Sequence, residues 1–140
     1  MKPAWVFGLA GLIPFFGLAG TVMVGPEQLR TAAQLLLTQY GALILSFVGA
    51  LHWGYAVQRD VRGVEAWALY GYSVLPALWA FLALQFTMFT SMQMLAAGLI
   101  GCLFVDKLFS KCTPLPIWFF RLRLILTTGG SVSLLLASVI

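Results

Sequence analysis

The sequence predicts an all-α membrane protein, a bundle of five transmembrane helices with a cytoplasmic N-terminus and a periplasmic C-terminus. Composition, helix-length apolar segments and the placement of charge support this fold class. Of the 140 residues, 61% are hydrophobic and 9% are charged, whereas a soluble domain is about 45–50% apolar and about 25% charged. A soluble fold of this length could not hide so much apolar surface, because much of any protein surface stays exposed.

Five apolar stretches approach the length that crosses a bilayer, since about 20 residues at 1.5 Å each cover roughly 30 Å of hydrocarbon. The fourth has the shortest uncharged core, Met92–Val105, and is extended through Phe109. Pro14 and Pro76 lie inside two stretches and are compatible with membrane helices, because neighbouring helices can satisfy the freed backbone groups. The predicted helices span about 5–24, 33–57, 66–86, 92–109 and 117–139, in a single domain of residues 1–140.

The first stretch has an alternative interpretation as a cleavable signal peptide. Lys2 precedes an apolar run that reaches a Gly-Leu-Ala-Gly segment at 17–20. Only one cation precedes the run, however, and Pro14 interrupts it, which is unlike the uninterrupted core of a signal peptide. The stretch is therefore predicted to be a retained helix.

Positive charge is distributed unevenly between the two ends of the predicted helices. Cytoplasmic loops of membrane proteins carry an excess of Lys and Arg, and only Arg30 lies on the periplasmic side of a five-helix protein. The other seven cations are Lys2, Arg59, Arg62, Lys107, Lys111, Arg121 and Arg123. The expected location is the inner (plasma) membrane of a bacterium, with the mitochondrial inner membrane as the second choice, where the same rule would point to the matrix.

His52 is the only histidine, and it lies inside the second predicted helix, seven residues or roughly 10 Å before Arg59. An ionisable group inside a membrane is a functional hypothesis by default. The structural alternative is a neutral imidazole hydrogen-bonded between helices. A proton-handling or ligand-binding role is the second alternative. A haem or metal site is not expected, because no second strong ligand has suitable spacing.

Small residues recur every four positions along the second predicted helix and predict a close helix crossing. They are Ala42, Ser46, Ala50 and Gly54. His52 points roughly the opposite way, on the ridge that also carries Gly41, Leu45 and Gly49. Two faces with small residues imply neighbours on both sides, so this helix is expected to be central.

Asp106 and Arg123 are predicted to form a buried ion pair, completing a candidate polar layer with His52. Residues two apart on a helix point about 200° apart, so Arg121 and Arg123 face different ways. Arg123 shares its face with small and polar residues and is the inward candidate, whereas Arg121 can reach the headgroups. A bidentate pair with Asp106 is the expected geometry. The alternative is that Asp106 is an interfacial residue beside Lys107.

Aromatic residues concentrate near the predicted cytoplasmic edge and are typical of an interfacial belt. The alternative is a quinone or lipid site lined by them. They are Trp53, Tyr55, Trp67, Tyr70, Tyr72 and Trp118.

Motifs of the common catalytic and cofactor-binding classes do not occur in the sequence, which has no HExxH, CxxC, GxSxG or Gly-rich phosphate loop. Cys102 and Cys112 are expected to be free thiols rather than a disulfide or a metal-ligand pair. No catalytic residue, metal site or cofactor is therefore predicted. The cations are not clustered on one face with interleaved aromatics, so nucleic acid is not an expected partner.

Several segments spread along the chain carry a resemblance to a known family. They are Leu43–Ala56 with its Ser-Phe-x-Gly-x-x-x-Trp-Gly run, Tyr72–Pro76, Asp106, Pro116–Trp118, Leu122–Arg123 and Leu126–Thr127. In these segments the chain resembles domain-of-unknown-function family number 3429, which comprises short bacterial inner-membrane proteins with a mitochondrial transmembrane relative in animals. The resemblance covers nearly the whole chain and implies a five-helix domain, but it implies no activity.

The expected function is non-enzymatic. Many small residues and very short loops favour an accessory subunit or assembly factor that contacts the lipid bilayer and docks on another integral membrane protein or on a second copy of itself. The alternative is a small transporter or channel that uses the layer of His52, Asp106 and Arg123. A membrane-embedded enzyme is the third hypothesis. A polar path that continues to the periplasmic side would favour transport.

Overall fold

The computed structural model describes residues 2–111 and 114–140, and the described residues are helical without a β-strand. Five helical spans are long and apolar enough to cross a membrane, which confirms the predicted fold class. The first span is divided into two helices. The elements are α1 (Lys2–Ala10), α2 (Leu12–Val24), α3 (Glu27–Gln58), α4 (Val64–Ala83), α5 (Met88–Leu108) with a following 3₁₀ turn (Phe109–Lys111), and α6 (Ile117–Ser138).

Most of the helices begin earlier than the apolar stretches that predicted them, whereas α6 begins at Ile117 as predicted. Helix α3 begins at Glu27 rather than at about residue 33, and α5 begins at Met88 rather than at about residue 92. Hydropathy marks the segment that matches hydrocarbon, whereas a helix continues into the interface, where an acidic residue such as Glu27 stabilises the positive N-terminal end. Helix α4 ends at Ala83 rather than at about residue 86, because residues 84–87 form the turn that leads to α5.

The first span breaks at Gly11. Pro14 lies in the first turn of α2 and has no N–H to donate to the carbonyl of Ala10, so the helix cannot continue regularly through this point. The Gly11 N–H instead donates to the carbonyls of Phe7 and Gly8. The Gly11 carbonyl accepts a hydrogen bond from the Tyr40 hydroxyl of α3 at 2.8 Å. The backbone carbonyl at the break is therefore hydrogen-bonded to the neighbouring helix α3.

Helix α3 is central, as the two small-residue faces predicted, because it packs against α2, α4, α5 and α6. Its Leu37 and Leu45 are fully buried in the core, together with Leu95 of α5 and Leu134 of α6. In contrast, α1 packs on α2 and α6 alone among the described elements, and no residue of α1 is buried. The N-terminal helix therefore lies at the margin of the bundle.

The tightest crossing of α3 and α4 occurs at Gly49, on the ridge that carries His52. A Cβ atom added at Gly49 would lie 2.7 Å from Pro76 Cγ and 2.8 Å from the Ser73 carbonyl oxygen. Such distances leave no room for a side chain, so only glycine allows the two helices to approach this closely.

The predicted packing stripe of α3 is only partly inside the bundle. Ala42 is buried and Ser46 is half-buried, but Ala50 and Gly54 are exposed, and a Cβ atom at Gly54 would meet nothing within 4 Å. As a crossing between helices of this chain, the prediction is therefore wrong for Ala50 and Gly54. Consecutive helical residues are rotated by about 100°, so turning Gly49 toward α4 turns Ala50 away from it.

Candidate functional site

A buried ion pair joins α5 to α6. Arg123 donates to Asp106 Oδ2 from Nε at 2.9 Å and from Nη2 at 2.6 Å, and both residues are 5% exposed. Both donors reach the same oxygen, so the expected arrangement of one nitrogen for each carboxylate oxygen is not formed. Arg121 is exposed. The polar face of α6, with Arg123, Thr127 and Ser131, is thus the face turned into the bundle.

His52 completes the buried group from α3. Its Nε2 atom lies 3.4 Å from Asp106 Oδ1, which is the carboxylate oxygen that Arg123 does not use. Three buried atoms of this group have no hydrogen-bond partner within the described residues. They are the two ring nitrogens of His52 and Oδ1 of Asp106. The structure therefore brings the three predicted residues together in the order His52, Asp106, Arg123. We call these three residues the polar cluster.

Local sequence explains why the cluster forms at one end of the bundle. His52 lies six residues before Gln58, where α3 ends, and Asp106 lies two residues before Leu108, where α5 ends. Arg123 lies six residues after Ile117, where α6 begins. At 1.5 Å per residue, all three side chains start within roughly 10 Å of the same membrane edge. A short connector between α5 and α6 makes these helices antiparallel neighbours.

Two aromatic rings pack against the imidazole, and neither residue is predicted from the sequence to belong to the cluster. Tyr72 of α4 packs edge-on against His52 with ring centroids 4.9 Å apart, and Phe109 packs at 6.1 Å. Tyr72 was predicted to belong to an interfacial belt, whereas it lies half-buried beside the cluster. The signal that could have found it is helical spacing, because Tyr72 follows the buried Leu69 by three residues and precedes the buried Pro76 by four.

An apolar cavity of about 330 Å³ lies on the arginine side of the cluster, between α1, α2, α3 and α6. We call it the apolar cleft. Arg123 and Thr127 are its polar lining residues. Its other walls come from Ala4, Phe7, Gly8, Gly11, Leu12, Phe15, Ile44, Phe47, Val48, Leu51, Leu99, Phe119, Leu122 and Leu126.

A second cavity of about 190 Å³ lies on the histidine side, and we call it the polar pocket. His52 and Asp106 line its inner end, and Tyr55 and Gln58 line it toward the end of α3. Leu51 and Phe119 line both cavities, so the polar pocket and the apolar cleft adjoin at these two side chains.

The described residues contain no group of three or more His, Cys, Asp or Glu side chains that could hold a metal ion. Cys102 is buried with a free thiol, and Cys112 lies outside the described residues. The chemistry that the site itself offers is hydrogen bonding to a carboxylate oxygen and an imidazole, next to a neutralised charge pair.

Comparison with known proteins supplies the family. Residues 1–139 match the family described as "Protein of unknown function (DUF3429)". The chain belongs to this family. It is also similar to Transmembrane protein 69 of Xenopus tropicalis, with 36% identity over 135 residues, which are 95% of this chain and 52% of the relative. This chain thus spans about half the length of the curated relative that it matches. No solved structure matches the chain.

The family match confirms the resemblance carried by the segments around Leu43–Ala56 and Tyr72–Pro76. Together with the five apolar spans, it establishes a multi-pass helical membrane protein. The cytoplasmic position of the N-terminus remains a prediction from the charge asymmetry, and the bacterial inner membrane remains a prediction as well.

Proposed function

We propose that this protein is an accessory subunit or assembly factor that docks on a larger integral membrane protein and catalyses no reaction itself. The observation that carries the proposal is the exposed position of Ala50 and Gly54 on the most embedded helix of the bundle. Large exposed side chains flank these two residues on the same face of α3. Phe47 lies one turn before Ala50, and Val57 lies one turn after Gly54. The result is a notch about two turns long.

A notch of this kind fits another helix. Association of helices in a bilayer depends on close van der Waals packing, and interfaces are enriched in small residues because these let two backbones approach. A Cβ atom at Gly54 would meet no other atom of the described residues within 4 Å, so the space beside it is open to a partner. The proposed occupant is a transmembrane helix of another integral membrane protein.

The connectors support docking within the membrane rather than through a soluble surface. Helices α2 and α3 are separated by Gly25 and Pro26, and α4 and α5 by four residues, 84–87. Among the described residues, nearly all of the surface available to a partner is therefore helical and lies within the predicted spans.

Affinity purification of the full chain in mild detergent, followed by mass spectrometry, tests the proposal. A stoichiometric membrane protein should co-purify with the natural sequence, and Gly54→Leu should remove it while the helical content stays the same. Gly17→Leu of α2 is the matched control, because a Cβ atom there also meets nothing within 4 Å. Purification of the natural chain alone, as a clean oligomer, would contradict the proposal.

A small transporter is the second candidate, favoured by the polar pocket that leads from the end of α3 to His52 and Asp106. The middle of the bundle argues against it, because Leu45, Leu95 and Leu134 are fully buried there. Reconstitution of the full chain into vesicles with an internal pH dye tests transport. Proton flux that His52→Phe abolishes would replace the docking proposal with transport.

A further inference from the structure

The two cavities meet at Leu51 and Phe119 and lie at different depths in the same half of the bundle. We infer that together they bind one membrane amphiphile, with its apolar chain in the apolar cleft and an uncharged, hydroxyl-bearing head in the polar pocket. This inference does not depend on the proposed docking function.

The apolar cleft lies beside the helix break, and Gly11 is one of its lining residues. On the N-terminal side of the break, α1 packs on α2 and α6 but, among the described elements, not on α3, so a gap remains between α1 and α3. Phe7 and Phe47 line the gap from either side and are both exposed, so the cleft is accessible from the surrounding lipid. A volume of about 330 Å³ lies within the range of about 300–1,000 Å³ that is typical of small-molecule sites.

The length of the cleft suits a chain from one leaflet. Along α6 its wall extends from Phe119 to Thr127, which is roughly 12 Å at 1.5 Å per residue. The hydrocarbon core is roughly 30 Å thick. The cleft therefore reaches from near the membrane edge toward the midplane and ends at the fully buried core.

The polar pocket provides hydrogen-bonding groups that this chain leaves unused. Asp106 Oδ1 and both ring nitrogens of His52 are buried, and Nε2 lies 3.4 Å from Oδ1. None of the three atoms has a hydrogen-bond partner within residues 2–111 and 114–140. Buried polar atoms normally have such a partner. A hydroxyl group suits this pair, because it can donate to the carboxylate oxygen and also accept from, or donate to, an imidazole nitrogen.

The charge of the cluster selects an uncharged head. Arg123 and Asp106 neutralise each other through two hydrogen bonds. A phosphate in the polar pocket would lie against the Asp106 carboxylate, and like charges brought together in a buried site are unfavourable. An ammonium group would be attracted by Asp106 but opposed by Arg123. Neither charge is favoured over a neutral hydroxyl.

The depths of the two cavities match the orientation of a lipid. The polar pocket is lined by Gln58, the last residue of α3, and by Leu115, which precedes α6, so it lies at the membrane edge. The apolar cleft continues deeper, to Phe15 and Thr127. An amphiphile in the leaflet at this edge already has its head at the membrane edge and its chain toward the midplane. It would therefore enter with the head in the polar pocket and the chain in the apolar cleft.

Two classes of membrane molecule share this chemistry, namely isoprenoid quinols and diacylglycerols. The test uses the purified full chain in mild detergent, titrated with a decyl-chain ubiquinol or with dioctanoylglycerol and observed by native mass spectrometry. Dioctanoyl phosphatidic acid is the charged-head comparison. We expect one of the two neutral probes to bind as a single adduct and phosphatidic acid to bind at least about tenfold more weakly.

Two variants and two matched controls locate the adduct. Ala4→Phe fills the apolar cleft, whereas Ala10→Phe places the same ring on the exposed side of the same helix, outside the cleft. His52→Phe removes the hydrogen-bonding nitrogens, whereas Trp53→Phe changes the exposed neighbour. Ala4→Phe should weaken binding about tenfold because the site is filled. His52→Phe should also weaken binding about tenfold, the loss expected for one or two buried hydrogen bonds. The controls should leave binding unchanged.

The outcomes distinguish a quinol from a diacylglycerol and show whether the inference is correct. If the quinol binds and both Ala4→Phe and His52→Phe weaken its binding, the ligand is an isoprenoid quinol. If dioctanoylglycerol gives the same result, the ligand is a glycerolipid. The inference is overturned if neither neutral probe binds in this way, if only one of the two variants has an effect, or if phosphatidic acid binds equally well. Thermal unfolding of each variant verifies that it is folded before its binding is compared.

Discussion

Arg123 donates two hydrogen bonds to a single oxygen of Asp106, at 2.9 and 2.6 Å, and leaves the other carboxylate oxygen facing His52. The pair therefore neutralises charge on one side, and on the other side the buried Oδ1 has no hydrogen-bond partner among the described residues. A symmetrical bidentate pair would have placed one Arg123 nitrogen on each carboxylate oxygen, so Oδ1 would have accepted a hydrogen bond from Arg123 as well as facing His52. Asp106 of α5 contacts both Arg123 of α6 and His52 of α3, so its carboxylate connects three helices into one cluster.

Breaking this ion pair should destabilise the protein. Asp106→Asn and Arg123→Gln each leave a buried polar group without its charged partner, and removing one member of such a pair typically costs about 3–5 kcal/mol. Thermal unfolding in detergent should show a lower midpoint for each variant and partial recovery in the double variant. Arg121→Gln should have little effect, because Arg121 is exposed. Additive losses in the double variant would mean that the two residues do not interact.

Gly49→Ala should loosen the crossing of α3 and α4. The new methyl group would lie 2.7 Å from the Pro76 ring and 2.8 Å from a backbone carbonyl, neither of which can move easily. Overpacking of this kind typically costs about 1–3 kcal/mol, measurable as a lower unfolding midpoint. Gly54→Ala is the control on the same helix and should be neutral or slightly stabilising, because alanine is the better helix former and the site is open. Equal effects of the two substitutions would place the crossing elsewhere.

Tyr40→Phe should weaken the support of the helix break. The variant keeps the ring that packs on Phe15 but removes the hydrogen bond to the Gly11 carbonyl. A net loss of about 0.5–1.5 kcal/mol is expected, with faster amide hydrogen exchange near Gly11 than in the natural protein. Tyr70→Phe of α4 is the matched control, since Tyr70 packs against Trp53 far from the break. No change in exchange near Gly11 would show that the Tyr40 hydroxyl does not hold this segment.

The orientation of the bundle can be tested with reporter fusions. Sites beside Lys2, Arg62 and Lys111 should lie in the cytoplasm and a fusion after Ile140 should lie on the other side, because seven of the eight cations share one end of the helices. A cytoplasmic C-terminus would be incompatible with five spans and an N-terminus in the cytoplasm.

The sequence by itself determined the properties that depend on one helix or on two helices joined by a short connector. Hydropathy is a local property, so it identified all five spans. Helical periodicity distinguished Arg123 from Arg121, because the polar stripe of α6 repeats along one face. The short connector between α5 and α6 made Asp106 a reasonable partner for Arg123, since antiparallel neighbours bring residues at adjoining ends together.

Tertiary structure alone decided how helices distant in sequence are rotated against one another. Helix α3 has small residues on two faces, and only packing against α4 shows that Gly49 lies at the crossing while Ala50 and Gly54 face outward. The same rotation points His52 toward Asp106, a residue 54 positions later in the chain. Hydropathy cannot resolve such a choice, because both faces of a membrane helix are apolar and the energy that separates them comes from close packing.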